Sequence, residues 1–347
     1  MSDHVDLMRA VDGSVGVYGT APTCYLSALA RIPDFTIGCF NDAVAAGDLV
    51  RIRAMRYSVH TVSAELLPTI AAATKSLVRK TNSYRGRAEP FYEKFANDLD
   101  AVLAKGPMPA VQIRSLVDPD GELGDLFSVL MGLAASHFQV VRTVTTGTWR
   151  SDRFLYARWQ DWVHSPPPDE MDEATAMRQL AERYVAAYGP VTVDDVKWWT
   201  GWTKTQTLEV ADGLDLSLQG TAIGYLEGVR LLPVWDVLMV AYRNRDRLFD
   251  PSYSPLTHDR FGNATSVVLD MGRVVGQWDL GSSDDPLSIK VAPFSDWSKR
   301  LWNDVRAQAD RIGKLIGTDD VEVTEVDEPV DLLDSSRNRF LAPLSKR

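Results

Sequence analysis

A Gly-Pro dipeptide followed by the same pattern of residues occurs twice in the sequence, and this repeat constrains the fold more than any other feature. KGPMPAVQIRSL begins at Lys105, and YGPVTVDDVKWW begins at Tyr188. Each dipeptide precedes an apolar residue, and three further pairs of similar residues lie 83 positions apart: Ile113 and Val196, Arg114 and Lys197, Leu116 and Trp199. Self-similarity at a fixed offset predicts copies of one supersecondary unit.

The second copy predicts a helix-turn-helix. Thr192 lies where a helix N-cap is expected, with Asp195 three residues later as a weaker form of the capping box. Gly201 can supply the left-handed residue that ends such a helix, and Thr203 can cap a second helix that runs towards Gly213. The runs LDLSL and TAIGYL follow and predict a hairpin, the wing of a winged helix. Such helix pairs bind DNA or serve as scaffolding, and this pattern alone leaves both alternatives open.

Helices followed by a hairpin are predicted three times, beginning near residues 14, 106 and 186. The predicted elements of the first unit are helices at 22–31 and 40–46 and strands at 49–53 and 58–62. Those of the second unit include a helix at 126–137 and strands at 138–144 and 153–159. Residues 63–105 are helical by periodicity, and their predicted core positions are Leu66, Leu67, Ile70, Leu77, Phe91, Phe95, Leu99 and Val102.

The predicted fold class is α+β, with three tandem winged-helix units, a small β-barrel-like subdomain and a C-terminal helix. The subdomain is predicted from strands at 265–269, 273–280 and 287–292, which follow a buried apolar run at 231–242. The predicted domains are a first unit with its following helices (1–105), a second unit with a Pro-rich connector (106–170), a third unit (171–230), the β-rich subdomain with its helix (231–317) and an acidic tail (318–347).

A net charge of −10 argues against binding to nucleic acid, because phosphate contacts need a positive surface. The segment from Thr318 to Asp334, however, holds eight acidic residues and no Lys or Arg, so the rest of the chain is nearly neutral and can carry one basic face. This segment is most simply a solvated terminus; the alternative is a self-inhibitory mimic of DNA.

No apolar run is long enough to span a membrane, and no secretory signal is visible. Cys24 and Cys39 do not form a metal-type pair. We therefore expect a cytoplasmic protein with reduced thiols, no metal site and no cofactor. It is expected to be a monomer without a membrane partner, located at the nucleoid when bound to DNA.

The predicted DNA-binding residues are mostly basic. Arginines alternate on the first predicted hairpin, where they could lie along phosphates or simply protect a solvated edge strand. Lys204 and Gln206 occupy the start of the third unit's second helix, where a recognition helix contacts DNA. The full predicted set is Arg51, Arg53, Arg56, His60, Lys204, Gln206, Arg243, Arg245, Arg247 and Arg260. The tryptophans at 198, 199, 202 and 235 fit a core better than a stacking platform.

Three segments together resemble the AlkZ/YcaQ family of winged-helix DNA glycosylases. They are YGPVTVDDVKWWTGW, LLPVWDVLMVAYRNRDRLFDP and VLDMGRVVGQWDL, and RYSVHTVSAELLP fits the family's hairpin region. The likeness covers most of residues 14 to about 316. It implies three tandem winged helices with a small β-barrel around a DNA channel, and excision of alkylated purines, especially N7-alkylguanines. Some members also unhook interstrand crosslinks, so alkylated or crosslinked double-stranded DNA is the implied partner.

The catalytic motif departs from the family pattern. Members carry Gln, an apolar residue and then Gln or Asp just before the first long helix. The corresponding residues here are Tyr18, Gly19 and Thr20. Thr20 could position a water molecule and Tyr18 could stack or donate a hydrogen bond, but neither is a competent general base near neutral pH. Thr20 could equally cap the helix that starts near Pro22, which is the preferred interpretation.

Two function classes follow. The first is an alkylpurine DNA glycosylase that uses Tyr18 and Thr20 as its catalytic pair. The second is a non-catalytic DNA-binding protein on the same scaffold, acting in damage recognition or regulation. A weaker third possibility is a scaffold that binds something other than DNA.

Overall fold

The computed structural model describes residues 2–80, 85–164, 171–221, 226–259 and 262–327, and these form a mixed α+β fold. The first region consists of α1 (Ser2–Gly13), β1 (Val17–Tyr18), α2 (Thr23–Arg31), α3 (Ile37–Ala45), β2 (Leu49–Arg53) and β3 (Val59–Ser63). Two long helices follow, α4 (Leu67–Lys80) and α5 (Arg85–Leu103). The predicted helices and the hairpin of this region are confirmed to within a few residues.

The second region repeats the order of the first. Its elements are β4 (Met108–Pro109), α6 (Ala110–Val117), α7 (Leu126–Ser136), β5 (Val140–Thr146), β6 (Arg153–Arg158) and the short α8 (Trp159–Trp162). Counting α1 and α5 as the leading helices, both regions run helix, short strand, two helices and hairpin. In both, the short strand pairs with the second strand of the hairpin, β1 with β3 and β4 with β6.

The two hairpins belong to one six-stranded sheet with the order β1-β3-β2-β5-β6-β4. The halves meet where β2 pairs with β5, with Arg51 opposite Arg142. The sequence predicted each hairpin separately, because nothing local in either hairpin indicates that its first strand has a partner in the other. As a result, β2 is an interior strand, so the alternative that its arginines protect an exposed edge is wrong.

The third region begins with α9 (Glu173–Tyr188), α10 (Val193–Thr200) and α11 (Lys204–Ala211). The predicted caps are confirmed. Thr192 and Thr203 both form capping boxes, and Gly201 ends α10 with a left-handed φ of 80°. Helix α10 also begins and ends 83 residues after α6, as the repeat predicts.

The predicted wing of the third region is only partly visible. No strand forms over residues 214–218, of which 216–218 form a turn and a bend, so the prediction of a strand there is wrong. Most of TAIGYL lies outside the described residues. Asp215 accepts a hydrogen bond from the Ser217 N–H, and such local side-chain bonds compete with strand pairing. The Val191 N–H still donates to the Leu216 carbonyl at 2.9 Å, and the Gly220 N–H donates to the Gly189 carbonyl at 2.7 Å.

A second sheet contains five strands in the order β11-β10-β9-β8-β7. The remaining elements are β7 (Val229–Leu232), α12 (Val237–Val240), α13 (Ser254–Thr257), β8 (Val267–Asp270), β9 (Arg273–Asp284), β10 (Leu287–Pro293), α14 (Lys299–Ile316) and β11 (Val321–Glu325). Within the described residues β7 and β11 do not pair, so the predicted barrel-like closure is not seen there. The acidic segment, predicted as a solvated tail, begins with β11, which pairs in parallel with β10.

The core positions predicted for residues 63–105 are buried at Leu66, Leu67, Ile70, Phe95 and Leu99. Leu77 and Val102 are half-buried. The prediction of Phe91 as a core residue is wrong, since its side chain is 47% exposed. The buried face of α5 passes through Ala88 and Tyr92 instead. No helix among the described residues is long and apolar enough to cross a bilayer.

Candidate active site and nucleic-acid interface

The segment Tyr18-Gly19-Thr20 leaves the end of β1 and leads into α2. Tyr18 lies opposite His60 in the sheet, and the Gly19 N–H donates to the Val59 carbonyl at 2.8 Å. A Cβ on Gly19 would lie 2.8 Å from Cγ1 of Val59 and 3.1 Å from the backbone of His60. The middle residue must therefore be glycine, because the segment runs directly over β3.

Tyr18 is half-buried and its ring contacts the ring of Trp235, with centroids 5.1 Å apart and planes tilted by 32°. Trp235 has a left-handed backbone (φ 58°), which is costly for a bulky residue and persists only where the surroundings enforce it. The next residue, Asp236, is fully buried and accepts both Nη groups of Arg31 at 2.8 Å and the Ser27 hydroxyl at 2.7 Å. This ion pair holds the chain at Trp235 against α2. Trp235 is half-buried and its ring lines the candidate site beside Tyr18, so it is not a core residue.

Thr20 does not cap α2, so the preferred sequence interpretation of this residue is wrong. The helix begins at Thr23, and the residue at its N-cap position is Pro22, which has no side chain able to accept a hydrogen bond. The carbonyl of Thr20 accepts the Cys24 N–H at 2.9 Å, while its hydroxyl shares a hydrogen bond with Tyr18. The Thr20 hydroxyl therefore belongs to the same polar group as Tyr18.

Sequence reasoning missed an acidic residue beside this segment. Asp152 lies in the turn before β6, and its carboxylate interacts electrostatically with Tyr18, Cys24, Arg51 and Arg142. Burial raises the pKa of Asp152 to about 6, although both arginines act in the opposite direction. Its Oδ1 is shielded from solvent and has no hydrogen-bond partner within the described part of the chain. No local signal in the sequence could have revealed this proximity, because it depends on the pairing of β2 with β5.

Arg51 and His60 lie beneath the surface. Arg51 is only 3% exposed; its Nε–H donates to the Gly19 carbonyl at 3.1 Å and its Nη1 donates to the Thr143 carbonyl. His60 is 5% exposed, and burial lowers its pKa to about 4, so the ring is neutral. These two side chains are therefore too buried to lie along phosphates as predicted. They instead support the Tyr18 segment, Arg51 through its bond to the Gly19 carbonyl and His60 through its pairing with Tyr18.

Arg53 and Arg142 line a cavity of about 250 Å³ between the two hairpins and the helices α4 and α7. Burial lowers the pKa of Arg53, and the charge of Arg142 lowers it further. The Arg53 guanidinium lies 4.5 Å from the centroid of the Tyr57 ring and donates to the Tyr57 carbonyl at 3.1 Å. Because the two positive charges repel each other, an anion in the cavity that both side chains line would be favoured.

Three arginines surround the indole of Trp198, and we name them with this residue the Trp198 cluster. The guanidinium carbons of Arg56, Arg245 and Arg243 lie 4.2, 5.1 and 5.4 Å from the Trp198 ring. Burial lowers the pKa of Arg245 to about 10, and the charges of Arg243 and Arg56 add to this effect. Its Nε and Nη2 have no partner among the described residues. The cluster borders an open cleft of about 540 Å³ that Lys197 also lines.

Asp195 connects the helix cap to this cluster. One carboxylate oxygen accepts the Thr192 N–H at 2.9 Å, and the other accepts the backbone N–H groups of Arg243 at 2.7 Å and Asn244 at 3.3 Å. The aspartate that the sequence placed in a capping box therefore also orients the arginine segment.

The other predicted DNA-binding residues occupy different environments. Arg247 is half-buried and donates to the carbonyls of Tyr188 and Pro190. The Gln206 side chain accepts hydrogen bonds in the capping box of α11, whereas Lys204 is exposed at the start of that helix. Arg260 lies outside the described residues. No group of three or more His, Cys, Asp or Glu side chains able to hold a metal occurs within the described ranges.

The chain matches the profile of a known family and resembles a solved structure. The sequence profile of the family described as "DNA glycosylase AlkZ-like" matches residues 8–315. The solved structure of the Streptomyces sahachiroi DNA glycosylase AlkZ superposes with a TM-score of 0.69 at 17% sequence identity, covering 92% of this chain and 94% of that chain. No curated protein sequence matches the chain.

Proposed function

Since the chain belongs to the AlkZ-like DNA glycosylase family, we propose that it hydrolyses the N-glycosidic bond of an N7-alkylated purine in double-stranded DNA. The observation that carries the proposal is the position of Tyr18 and Thr20. The resemblance assigns both residues to the family's catalytic motif. The Tyr18 ring contacts Trp235, the Thr20 hydroxyl shares a hydrogen bond with Tyr18, and Arg53 interacts electrostatically with Tyr18. Crosslinked DNA belongs to the same class of substrate, since unhooking a crosslink breaks the same type of bond.

The repeated order of elements supports three tandem winged helices as the DNA-binding scaffold. The helices in the recognition position of the first two units, α3 and α7, contain no Lys or Arg. Positive charge comes instead from the hairpins and from the segment 243–245. Arg53 is the last residue of β2 and Arg56 lies three residues later, in the connection to β3, so the two residues link the cavity beside Arg142 to the Trp198 cluster. We propose that this row of arginines contacts the phosphate backbone, which positions a protein on DNA without reading its sequence.

The proposed chemistry requires little from the enzyme beyond placement and electrostatics. An N7-alkylguanine carries a positive charge, so its bond to the sugar is already weakened. The aromatic faces of Tyr18 and Trp235 can hold the nucleotide by stacking, and the Thr20 hydroxyl can position the attacking water. As the bond breaks, the sugar becomes cationic, and negative potential nearby stabilises it.

The test is formation of abasic sites in a duplex with a single 7-methylguanine, detected by alkaline strand cleavage and corrected for spontaneous loss. We expect product above the control. The double variant Tyr18→Ala/Thr20→Ala should lose about 10²-fold or more of the rate, by analogy with removal of positioning and acid–base groups, while it still binds the duplex. A double variant with full activity would show that these residues are not the site. Tyr18→Phe/Thr20→Val then separates the hydroxyl groups from the aromatic ring.

A second candidate function is DNA binding without catalysis. The observation that favours it is the absence of any carboxylate or amide side chain within Tyr18-Gly19-Thr20. Wild-type protein that binds the 7-methylguanine duplex in a salt-sensitive manner, yet produces no abasic sites from this lesion or from bulkier N7 adducts, would establish this function in place of the first.

A further inference from the structure

We propose that Asp152, contributed by the second hairpin, is the carboxylate that receives the proton of the attacking water and stabilises the cationic sugar at the Tyr18–Thr20 site. This inference rests on the proposed glycosylase function. It assigns the negative charge that Tyr18 and Thr20 cannot supply to a residue more than 130 positions further along the chain.

The first support is the arrangement of charges around Phe154. Asp152 immediately precedes β6 and Phe154 is the second residue of that strand; the guanidinium groups of Arg51 and Arg142 lie 5.1 and 5.7 Å from the Phe154 ring. The Asp152 carboxylate interacts with both arginines and with Tyr18, but it forms no salt bridge with either arginine in the described chain. A carboxylate among cations that remains unpaired retains its capacity to accept a proton.

The second support is a pair of complementary unpartnered atoms. Oδ1 of Asp152 is a shielded acceptor, and Nη2 of Arg51 is a shielded donor; within the described residues neither has a hydrogen-bond partner. Arg51 is almost wholly buried and is tied to the Gly19 carbonyl, directly between Tyr18 and Thr20. An ordered water needs two to four polar partners, and the Thr20 hydroxyl, the Asp152 carboxylate and the Arg51 guanidinium are of the right types.

The third support is that the turn bearing Asp152 is anchored. The Trp149 indole N–H donates to Asp284 at 2.9 Å, and the Arg150 Nε–H donates to the same carboxylate at 2.8 Å. Arg150 also donates to the Gly281 carbonyl at 2.7 Å. These bonds attach the turn to β9 of the second sheet, so the position of Asp152 is set before DNA binds, as catalysis by a preorganised group requires.

The step balances without a cofactor. The bond from the sugar C1′ to the purine N9 breaks, and its electron pair moves into the alkylated base, which leaves as a neutral purine. A water oxygen bonds to C1′, and one of its protons passes to the Asp152 carboxylate. The products are the free base and an abasic site, and the proton returns to solvent when Asp152 ionises again.

The first experiment compares Asp152→Asn with Asp120→Asn under single-turnover conditions on the 7-methylguanine duplex. Asp120 is an exposed residue of the second region, and Asp120→Asn removes the same charge at a position that has no proposed role in the site. We expect Asp152→Asn to slow excision by about 10²-fold or more, as for loss of a general base, and Asp120→Asn to retain the wild-type rate. If Asp152→Asn keeps that rate while Tyr18→Ala/Thr20→Ala loses it, the inference fails and the proposed function stands.

The second experiment decides the inference even if wild-type protein releases no base. It measures binding to two duplexes, one with a protonated pyrrolidine in place of the sugar and one with a neutral tetrahydrofuran. Wild-type protein should prefer the cationic analogue by about tenfold or more, since transition-state analogues bind tighter than neutral ligands, and Asp152→Asn should abolish this preference. Wild-type protein without a preference would overturn the role of Asp152, and a preference without excision would instead count against the proposed activity on this lesion.

Discussion

At the residue scale, the ionisation of Asp152 connects the site to pH. The groups that face it are Tyr18 from β1, Cys24 from α2, Arg51 from β2 and Arg142 from β5. Burial raises the pKa of the Cys24 thiol to about 11, and burial also raises that of Tyr18, so both keep their protons at neutral pH. Asp152, with a pKa of about 6, is therefore the group in this set that changes charge near pH 6.

We expect the corrected excision rate to rise as the pH increases through about 6, because only the ionised Asp152 can accept a proton. In Asp152→Asn this inflection should be absent. The measurement is the single-turnover rate on the 7-methylguanine duplex from mildly acidic to mildly alkaline pH, with spontaneous base loss subtracted at each pH. An inflection that survives in the variant would assign it to another group.

The stability of the same variant distinguishes a catalytic role from a structural one. The pKa of Asp152 is raised on folding from its ordinary 3.8, so the folded state binds the proton more tightly than the unfolded state. This contribution to stability is present below about pH 4 and is lost as the pH rises through about 6. Above neutral pH, Asp152→Asn should therefore unfold at the same temperature as wild-type protein or higher, whereas loss of a structural carboxylate would lower it.

At the element scale, Asp195 links α10 to the arginine segment that follows α12. Replacing it with Ala removes the acceptor for the Thr192 backbone N–H and for the N–H groups of Arg243 and Asn244. We expect a loss of roughly 2 kcal/mol in the free energy of unfolding, from a lost cap and from buried donors left without a partner. We also expect weaker duplex binding, because Arg243 loses its support.

Urea denaturation of Asp195→Ala beside Asp194→Ala tests this expectation. Asp194 precedes it in the first turn of the same helix but is exposed. Its removal should cost no more than about 0.5 kcal/mol, the effect of one exposed charge on the helix dipole. Equal losses in the two variants would show that Asp195 acts through the helix dipole alone.

The elements show which features the sequence could predict. The caps at Thr192, Gly201 and Thr203 were predicted because a cap depends on residues within one turn of each other. The bounds of β2 were predicted because its alternation is local. The pairing of β2 with β5 was not predicted, since each strand could equally have been the edge of a sheet. Without that pairing, the position of Asp152 beside Tyr18 could not be predicted either. Phe91 was misplaced because two helical faces of α5 fit the apolar pattern.

At the scale of the whole molecule, the proposed phosphate-binding surface of this acidic protein depends on a separation of charges between two sheets. Arg53 and Arg142, which line a cavity, belong to the six-stranded sheet. The acidic strand β11 is an edge of the other sheet and pairs only with β10 within the described residues. The buried Arg31–Asp236 ion pair joins α2 to the connection between β7 and β8 of the second sheet, so the fold fixes this separation.

This separation predicts a steep dependence of duplex binding on salt despite the net charge of −10. Each phosphate that the protein neutralises releases counterions, so the logarithm of the binding constant should fall with the logarithm of salt concentration by about 0.9 per neutralised phosphate. Arg243→Ala/Arg245→Ala should reduce this slope by about 0.9 for each phosphate that the variant no longer neutralises. The matched control is Arg9→Ala/Arg306→Ala, at two exposed arginines outside the Trp198 cluster, which should leave the slope unchanged.

The slopes are obtained by titrating a fluorescent duplex with protein at several salt concentrations between about 50 and about 200 mM. Over this range a protein with several phosphate contacts loses about 10³-fold in affinity. The steepest dependence is expected for the wild-type protein and for the control variant, because both keep the arginines of the Trp198 cluster. A slope near zero for the wild-type protein would mean that the scaffold binds something other than DNA. Equal slopes in both double variants would place the phosphate-binding residues elsewhere on the molecule.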